Sequence, residues 1–165
     1  MQQLLPIREG CPLYWLIGGF CMAMFLEQKT ISSKSAQLMV QAAMEKAKEL
    51  GIAVNVSIVD AGGNLLAFSR MDGAPLLSIE ISQNKAYTAA AFGVPTHEWY
   101  DMIKDDPALK TGIVHTNRLT VFGGGYPIRY ENQLTGGIGV SGGSAAEDQA
   151  CCEAALEILK KEAIK

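Results

Sequence analysis

Eight of the chain's 17 glycines fall between Gly123 and Gly143, and no other feature narrows what the sequence can fold into as much. Glycine adds unfolded-state entropy that folding must overcome, so such density requires backbone that comes very close to something. The run Gly136-Gly137-Ile138-Gly139-Val140-Ser141-Gly142-Gly143 ends a segment of strand character and leads into Ser144-x-x-Glu147, a capping box that starts a helix. Free backbone N–H groups and the positive end of that helix therefore lie just beyond Gly143, a place suited to an anionic group. Gly137, Gly139 and Gly142 match G-x-G-x-x-G, but that fingerprint belongs to the first strand of a parallel βαβ unit with an acidic residue about 20 positions on. Here it closes the last strand, so no nicotinamide site is expected. Two readings stay open, a ligand site and a strand packed tightly under a helix. Gly123-Gly124-Gly125 likewise reads either as a hairpin bend or as a surface that admits a flat or bulky ligand.

The remaining punctuation places these glycines in an α+β domain. Ser32 or Ser33 caps a helix whose apolar positions run Ala36, Met39, Val40, Ala43, Ala47 and Leu50, stopped by Gly51. Ile52, Val54, Val56 and Ile58 alternate as in a strand, Asp60 to Asn64 form a turn, and Leu65 to Met71 return as the second strand of a hairpin. Leu76 to Phe92 is a second helix, ended by Gly93, and a short helical stretch follows Pro95-Thr96. Three further strands are expected at Leu119–Phe122, Tyr126–Tyr130 and Leu134–Ser141, before the final helix from Ser144. The order α-β-β-α-β-β-β-α predicts an antiparallel sheet of about five strands with flanking helices, in one domain over 27–165.

Composition removes several function classes. A net charge of −3 with no basic run lacks the footprint of a nucleic-acid binder. The four cysteines, Cys11, Cys21, Cys151 and Cys152, show no C-x-x-C spacing, so no zinc site is expected. Adjacent Cys151 and Cys152 lie in a helical pattern as small apolar residues, which suits a reducing, cytoplasmic setting. Residues 1–26 form an apolar N-terminal extension. Its core, Cys11 to Leu26, is shorter than the roughly 20 residues that cross a membrane, so membrane insertion is not expected. The extension reads as a signal-like segment, or as sequence upstream of a start at Met22 or Met24, or as an apolar stretch packed on the domain or a partner.

Lys85 stands in a helical stripe with Leu77, Ile81, Thr88 and Phe92. A lysine there snorkels to solvent, pairs with a buried carboxylate such as Asp60 or Asp72, or meets the acidic group of a ligand. His97 and His115 are the only imidazoles available as proton shuttles or axial ligands. No nucleophile elbow, paired-carboxylate motif or P-loop is present.

Five segments together carry a resemblance: Ile58-Val59-Asp60-Ala61-Gly62-Gly63-Asn64, Arg70-Met71-Asp72, Asn84-Lys85-Ala86, Phe122-Gly123-Gly124-Gly125-Tyr126-Pro127 and Gly139-Val140-Ser141-Gly142-Gly143. In order and spacing, from about Ile31 to Leu159, the chain resembles the GlcG/HbpS-like family, which includes the C-terminal domain of PduO-type corrinoid adenosyltransferases. Thr96-His97-Glu98 and Glu147-Asp148-Gln149 bring it nearest to the PduO-type branch. The resemblance implies a sheet-and-helix fold, a homo-oligomer of two or more copies, and a repertoire of haem binding, haem degradation or accessory roles in glycolate and cobalamin-linked diol metabolism. On that basis the leading expectation is a module that binds haem or a related tetrapyrrole. Arg70, Lys85, Gly123, Gly124, Gly125, Ser141, Gly142 and Gly143 are its candidate ligand-binding residues, and His97 its candidate axial ligand. An enzyme of corrinoid or small-oxyacid metabolism, or a structural accessory subunit, are the competing readings.

Overall fold

The computed structural model describes residues 14–17, 20–23 and 27–162. A two-stranded antiparallel hairpin comes first, β1 (Tyr14–Ile17) with β2 (Phe20–Ala23). The rest of the 1–26 extension, with its signal-like and alternative-start readings, lies outside the described residues.

Helix α1 (Ser33–Leu50) starts where the Ser32 hydroxyl accepts the Ser35 amide, and it ends at Gly51 in a left-handed conformation. Strands β3 (Asn55–Asp60) and β4 (Leu65–Arg70) form the expected hairpin, with the Asp60 carboxylate accepting the Gly62 and Asn64 amides in its turn. Helix α2 (Ser78–Phe92) precedes the short helices α3 (Trp99–Ile103) and α4 (Pro107–Gly112). Strands β5 (Gly125–Tyr130) and β6 (Gln133–Ser141) make a second hairpin that turns at Glu131 and Asn132, both at positive φ. Helix α5 (Ala145–Glu162) begins at the predicted capping box, where the Ser144 amide donates to Glu147 at 2.8 Å.

These strands form one antiparallel sheet in the order β4-β3-β6-β5. It has four strands, because the fifth expected strand, Leu119–Phe122, does not form. Arg118 is at φ 64°, and the Thr120 amide bonds to the Thr88 hydroxyl of α2 at 2.9 Å, so a helix side chain takes up the group a neighbouring strand would need.

Helices α1 and α5 cover one face of the sheet. Their buried residues, from Ala36 and Met39 to Cys151, Cys152 and Ala155, close a core over Val56, Ile58, Ile128, Ile138 and Val140. Helix α2 covers the other face, which carries Ser57 of β3 and Gly137 and Gly139 of β6. A methyl group at Gly139 would meet the Ser82 carbonyl and lie 2.5 Å from the Ala86 amide nitrogen, and one at Gly137 would strike the Ala86 carbonyl. The helix backbone thus rests directly on the strand. That closeness explains why the buried side of α2 is Ser78, Ser82, Lys85, Ala86, Thr88, Ala89 and Ala90, while Leu77 and Phe92 of the predicted stripe are exposed. Only small side chains, and one lysine leaving at the edge, fit into so thin a layer.

Lys85 connects the two faces. Its ammonium group donates to the Asp148 carboxylate of α5 and to the Val140 carbonyl of β6, both at 2.8 Å, with Lys85 and Asp148 almost wholly buried. The partner is therefore Asp148, and neither Asp60 nor Asp72 takes part. The pair passes through a gap that Gly124 leaves open: a Cβ there would lie 2.7 Å from the Lys85 Nζ, the Asp148 Cβ and the Val140 oxygen alike.

Two outcomes follow for stability. Gly139→Ala forces α2 off the sheet and lowers unfolding free energy by about 2 kcal/mol or more, the upper part of the overpacking range. Urea denaturation reads this as a lower midpoint at unchanged slope. Lys85→Met removes the counter-charge from Asp148, whose carboxyl burial already pushes above its ordinary pKa. In that variant the native state holds a proton that the unfolded state releases above about pH 4. Stability then falls as pH rises from about 4 through the folded pKa, over a wider pH range than in the wild type. Denaturation midpoints across pH test the slope, and parallel profiles for variant and wild type would show that the pair is not coupled.

Candidate functional site

A cleft of about 240 Å³ opens where the N-terminal ends of α2 and α5 meet the C-terminal end of β6. Its lining comes from Ser78, Ile81 and Lys85 of α2, Phe122 of the preceding connection, Ser141 of β6, Gly142 and Gly143, and Ala145 and Asp148 of α5. The local sequence accounts for each position. Ser141 is the last residue of β6 and shares the α2 face with Gly139. Gly142 adopts φ 154° and runs against the Ala53 carbonyl, which swings the chain from strand into helix. The Ser144 cap then sets Asp148 one turn into α5, on the same inward side as Cys151, Cys152 and Ala155.

Electrostatically the cleft floor is a neutral but strongly polar pair. Burial pushes the Asp148 carboxyl up, and the Lys85 ammonium and the Gly143 amide, which donates to Asp148 at 3.0 Å, oppose that rise. Phe122 presents its ring 5.1 Å from the ammonium nitrogen, within cation–π range. Behind the pair the Cys152 thiol donates to the Gly124 carbonyl at 3.2 Å, and complete burial holds its pKa far above the ordinary thiol value. Cys152 is accordingly an inert packing residue and not a nucleophile.

The structure gathers part of the set expected from sequence. Lys85, Ser141, Gly142 and Gly143 line one cleft. Gly123, Gly124 and Gly125 lie directly behind it but are buried against Gln149, Asp148, Lys85 and Thr96, so the absence of their side chains serves contacts inside the domain. Arg70 does not join them, because its guanidinium on edge strand β4 is bonded to the Ala74 carbonyl. His97 is exposed on a 3₁₀ turn (Thr96–Glu98), which the Thr96 hydroxyl pins to Gly125, and its ring lies 5.5 Å from that of Tyr126. Neither imidazole nitrogen has a hydrogen-bond partner among the described residues. Asp148, Ser78 and Phe122 were not among the candidate ligand-binding residues, although Asp148 and Phe122 lie in segments that carry the resemblance. Asp148 had a signal all the same, since it shares a 3/4/7 spacing with Cys151, Cys152 and Ala155 just as Lys85 shares one with apolar neighbours.

A second, larger groove of about 870 Å³ runs along α5, the β5–β6 hairpin and the start of α1. Ile128, Leu156 and Leu159 give it an apolar wall, and Lys29, Arg129 and Lys160 are the cations on its lining. Among the described residues no group of three or more His, Cys, Asp or Glu side chains could hold a metal ion. No helix among them is long and apolar enough to cross a membrane.

Comparison with known proteins agrees with this architecture. The family profile described as "Haem degrading protein HbpS-like" matches residues 31–157. An uncharacterised 15.0 kDa protein from the dhaT-dhaS intergenic region of Citrobacter freundii is 42% identical over 134 residues, 80% of this chain and 94% of that protein. The corrinoid adenosyltransferase PduO of the same organism is 37% identical over 131 residues, 79% of this chain but 39% of the larger enzyme. Among solved structures, Klebsiella pneumoniae ORFY superposes with a TM-score of 0.78 at 36% identity, covering 84% of this chain and 97% of that one. PduOC in complex with haem superposes with a TM-score of 0.73 at 36% identity, covering 78% and 94%. An antiparallel sheet built over glycines, with a lysine of α2 crossing to α5, is thus set in a sequence matched along most of its length, and the chain belongs to the HbpS-like family of haem-degrading proteins.

Proposed function

We propose that this chain is a haem-binding module, working as a cytosolic homo-oligomer in an accessory role beside glycolate or cobalamin-linked diol metabolism. The observation that carries the reading is the PduOC structure with haem bound, whose fold this chain shares at 36% identity. The accessory role has the weaker support of its likeness to part of PduO, an adenosyltransferase of corrinoids.

The residues present are compatible with the group. An accessible imidazole is one of the side chains that can ligate haem iron, and His97 offers one that is exposed and without a hydrogen-bond partner among the described residues. A flat macrocycle needs a largely apolar groove of several hundred cubic ångströms with cations for its propionates. The 870 Å³ groove has that volume and carries Lys29, Arg129 and Lys160, but Lys29 and Lys160 are paired with Glu131 and Glu157 and His97 does not line it, while the 240 Å³ cleft falls below that volume. When bound, haem would supply iron chemistry that no side chain of this protein can. The protein's own part is to hold the ring, fix the axial nitrogen and limit access of water.

Hemin titrated into the full chain is expected to give a saturable shift of the Soret band, with His97→Ala changing its position or removing it and His115→Ala leaving it unaltered. Without a saturable shift in the wild type, the haem reading falls. A shift indifferent to His97→Ala would keep haem and remove His97 as its ligand.

A further inference from the structure

We infer that the cleft beside the Lys85–Asp148 pair is a binding site for a single carboxylate group. Two side chains point to an occupant. Ser141 is 5% exposed and Ser78 8%, both line the cleft, and neither hydroxyl has a hydrogen-bond partner among the described residues. Neither oxygen is sealed off from solvent, so both are free to bond whatever enters the cleft. Polar groups contributed by α2 and β6 thus face one small space.

The donors there favour an acceptor ligand. An ammonium group has three N–H bonds, and Lys85 uses one on Asp148 and one on Val140, leaving the third without an acceptor among the described residues. The first turn of α5 adds the Ala145 amide, which has no intrahelical partner. Two hydroxyls, one ammonium N–H and one helix-end amide match the four lone pairs of a single carboxylate. Size and charge narrow the class. At roughly 30 Å³ per water-sized group the cleft takes about eight non-hydrogen atoms. The Asp148 carboxylate on its wall repels a dianion more than a monoanion, so inorganic phosphate is disfavoured. Phe122 and Ile81 give a short carbon chain an apolar side to lie on. The carboxylate could belong to a free short-chain acid or to a propionate arm of haem, and the chemistry at the cleft is the same.

Ligand-observed saturation-transfer NMR on the full chain, with sodium propionate against sodium chloride at equal ionic strength, tests the inference. Saturable transfer to propionate is expected in the wild type. Ser141→Val, which removes the hydroxyl and narrows the cleft, should weaken binding by about tenfold or more. Ser78→Ala, in the first turn of α2, should weaken it in the same direction and decides the matter if Ser141→Val does not fold. Competition separates the two sources. Displacement by hemin but not by hemin dimethyl ester assigns the site to a haem propionate, and no displacement by either assigns it to a free acid. Both outcomes support a carboxylate site, and the second does so even if the Soret titration fails. No saturable transfer, equal affinity in wild type and both variants, or saturation by phosphate in place of propionate overturns it.

Discussion

The ion pair between Lys85 and Asp148 is the contact around which the interior is arranged. Its charges lie on helices that cover opposite faces of the sheet, so they meet only where the sheet is thin enough to pass. Burying both is expensive, and their attraction offsets the cost only when the remaining donors and acceptors are also met. The Val140 carbonyl and the Gly143 amide do much of that. Such a pair adds little net stability compared with well-packed apolar residues, but breaking it strands a buried charge. Its effect is to fix how the layers sit on one another, because α2, β6 and α5 each contribute one of its groups.

The glycines become intelligible from that requirement. Gly124 makes room for the pair itself, while Gly137 and Gly139 let α2 down onto the strand far enough for a lysine side chain to reach across. Packing accounts for these three positions without any ligand. Gly142 and Gly143 are also packed, against Ala53, Ile52 and Glu147, but in addition they border the open cleft and lead into the free amides of a helix. The glycine-rich half is therefore two things, an interior that tolerates no Cβ and a mouth that can take a guest.

This division shows what could be read from the sequence and what could not. Caps and turns were legible because each is decided within a few residues: Ser32, Gly51, the Asp60 turn, Gly93 and the Ser144 box all stand where they were expected. The α2 face was misread because periodicity weighs side chains by hydrophobicity, whereas here the selecting force is thickness. Against a glycine strand alanine and serine go inside, and Leu77 and Phe92 are left out. The Leu119–Phe122 strand failed for a comparable reason. Its β-prone residues are held instead by the Thr88 hydroxyl, which donates to the Arg118 carbonyl and accepts from the Thr120 amide, long-range bonds that no local pattern announces.

The candidate site was legible only in halves. Lys85 stood out as a charge in a helical stripe, and Asp148 carried the mirror-image signal 63 positions later, yet matching them needed the strand order that periodicity does not supply. Two opposite charges, each lodged among small residues of separate helices, constitute a long-range constraint of the same kind as a cysteine pair. Burial of either alone is so costly that the other becomes its required neighbour. The unpaired hydroxyls of Ser78 and Ser141 had no comparable sequence signal, because serine at a helix start or a strand end is ordinary. They acquire meaning only beside the ion pair, with which they line the same cleft. The interaction that holds α2, β6 and α5 together thus also leaves, at its open side, a cluster of donors that meet no acceptor among the described residues.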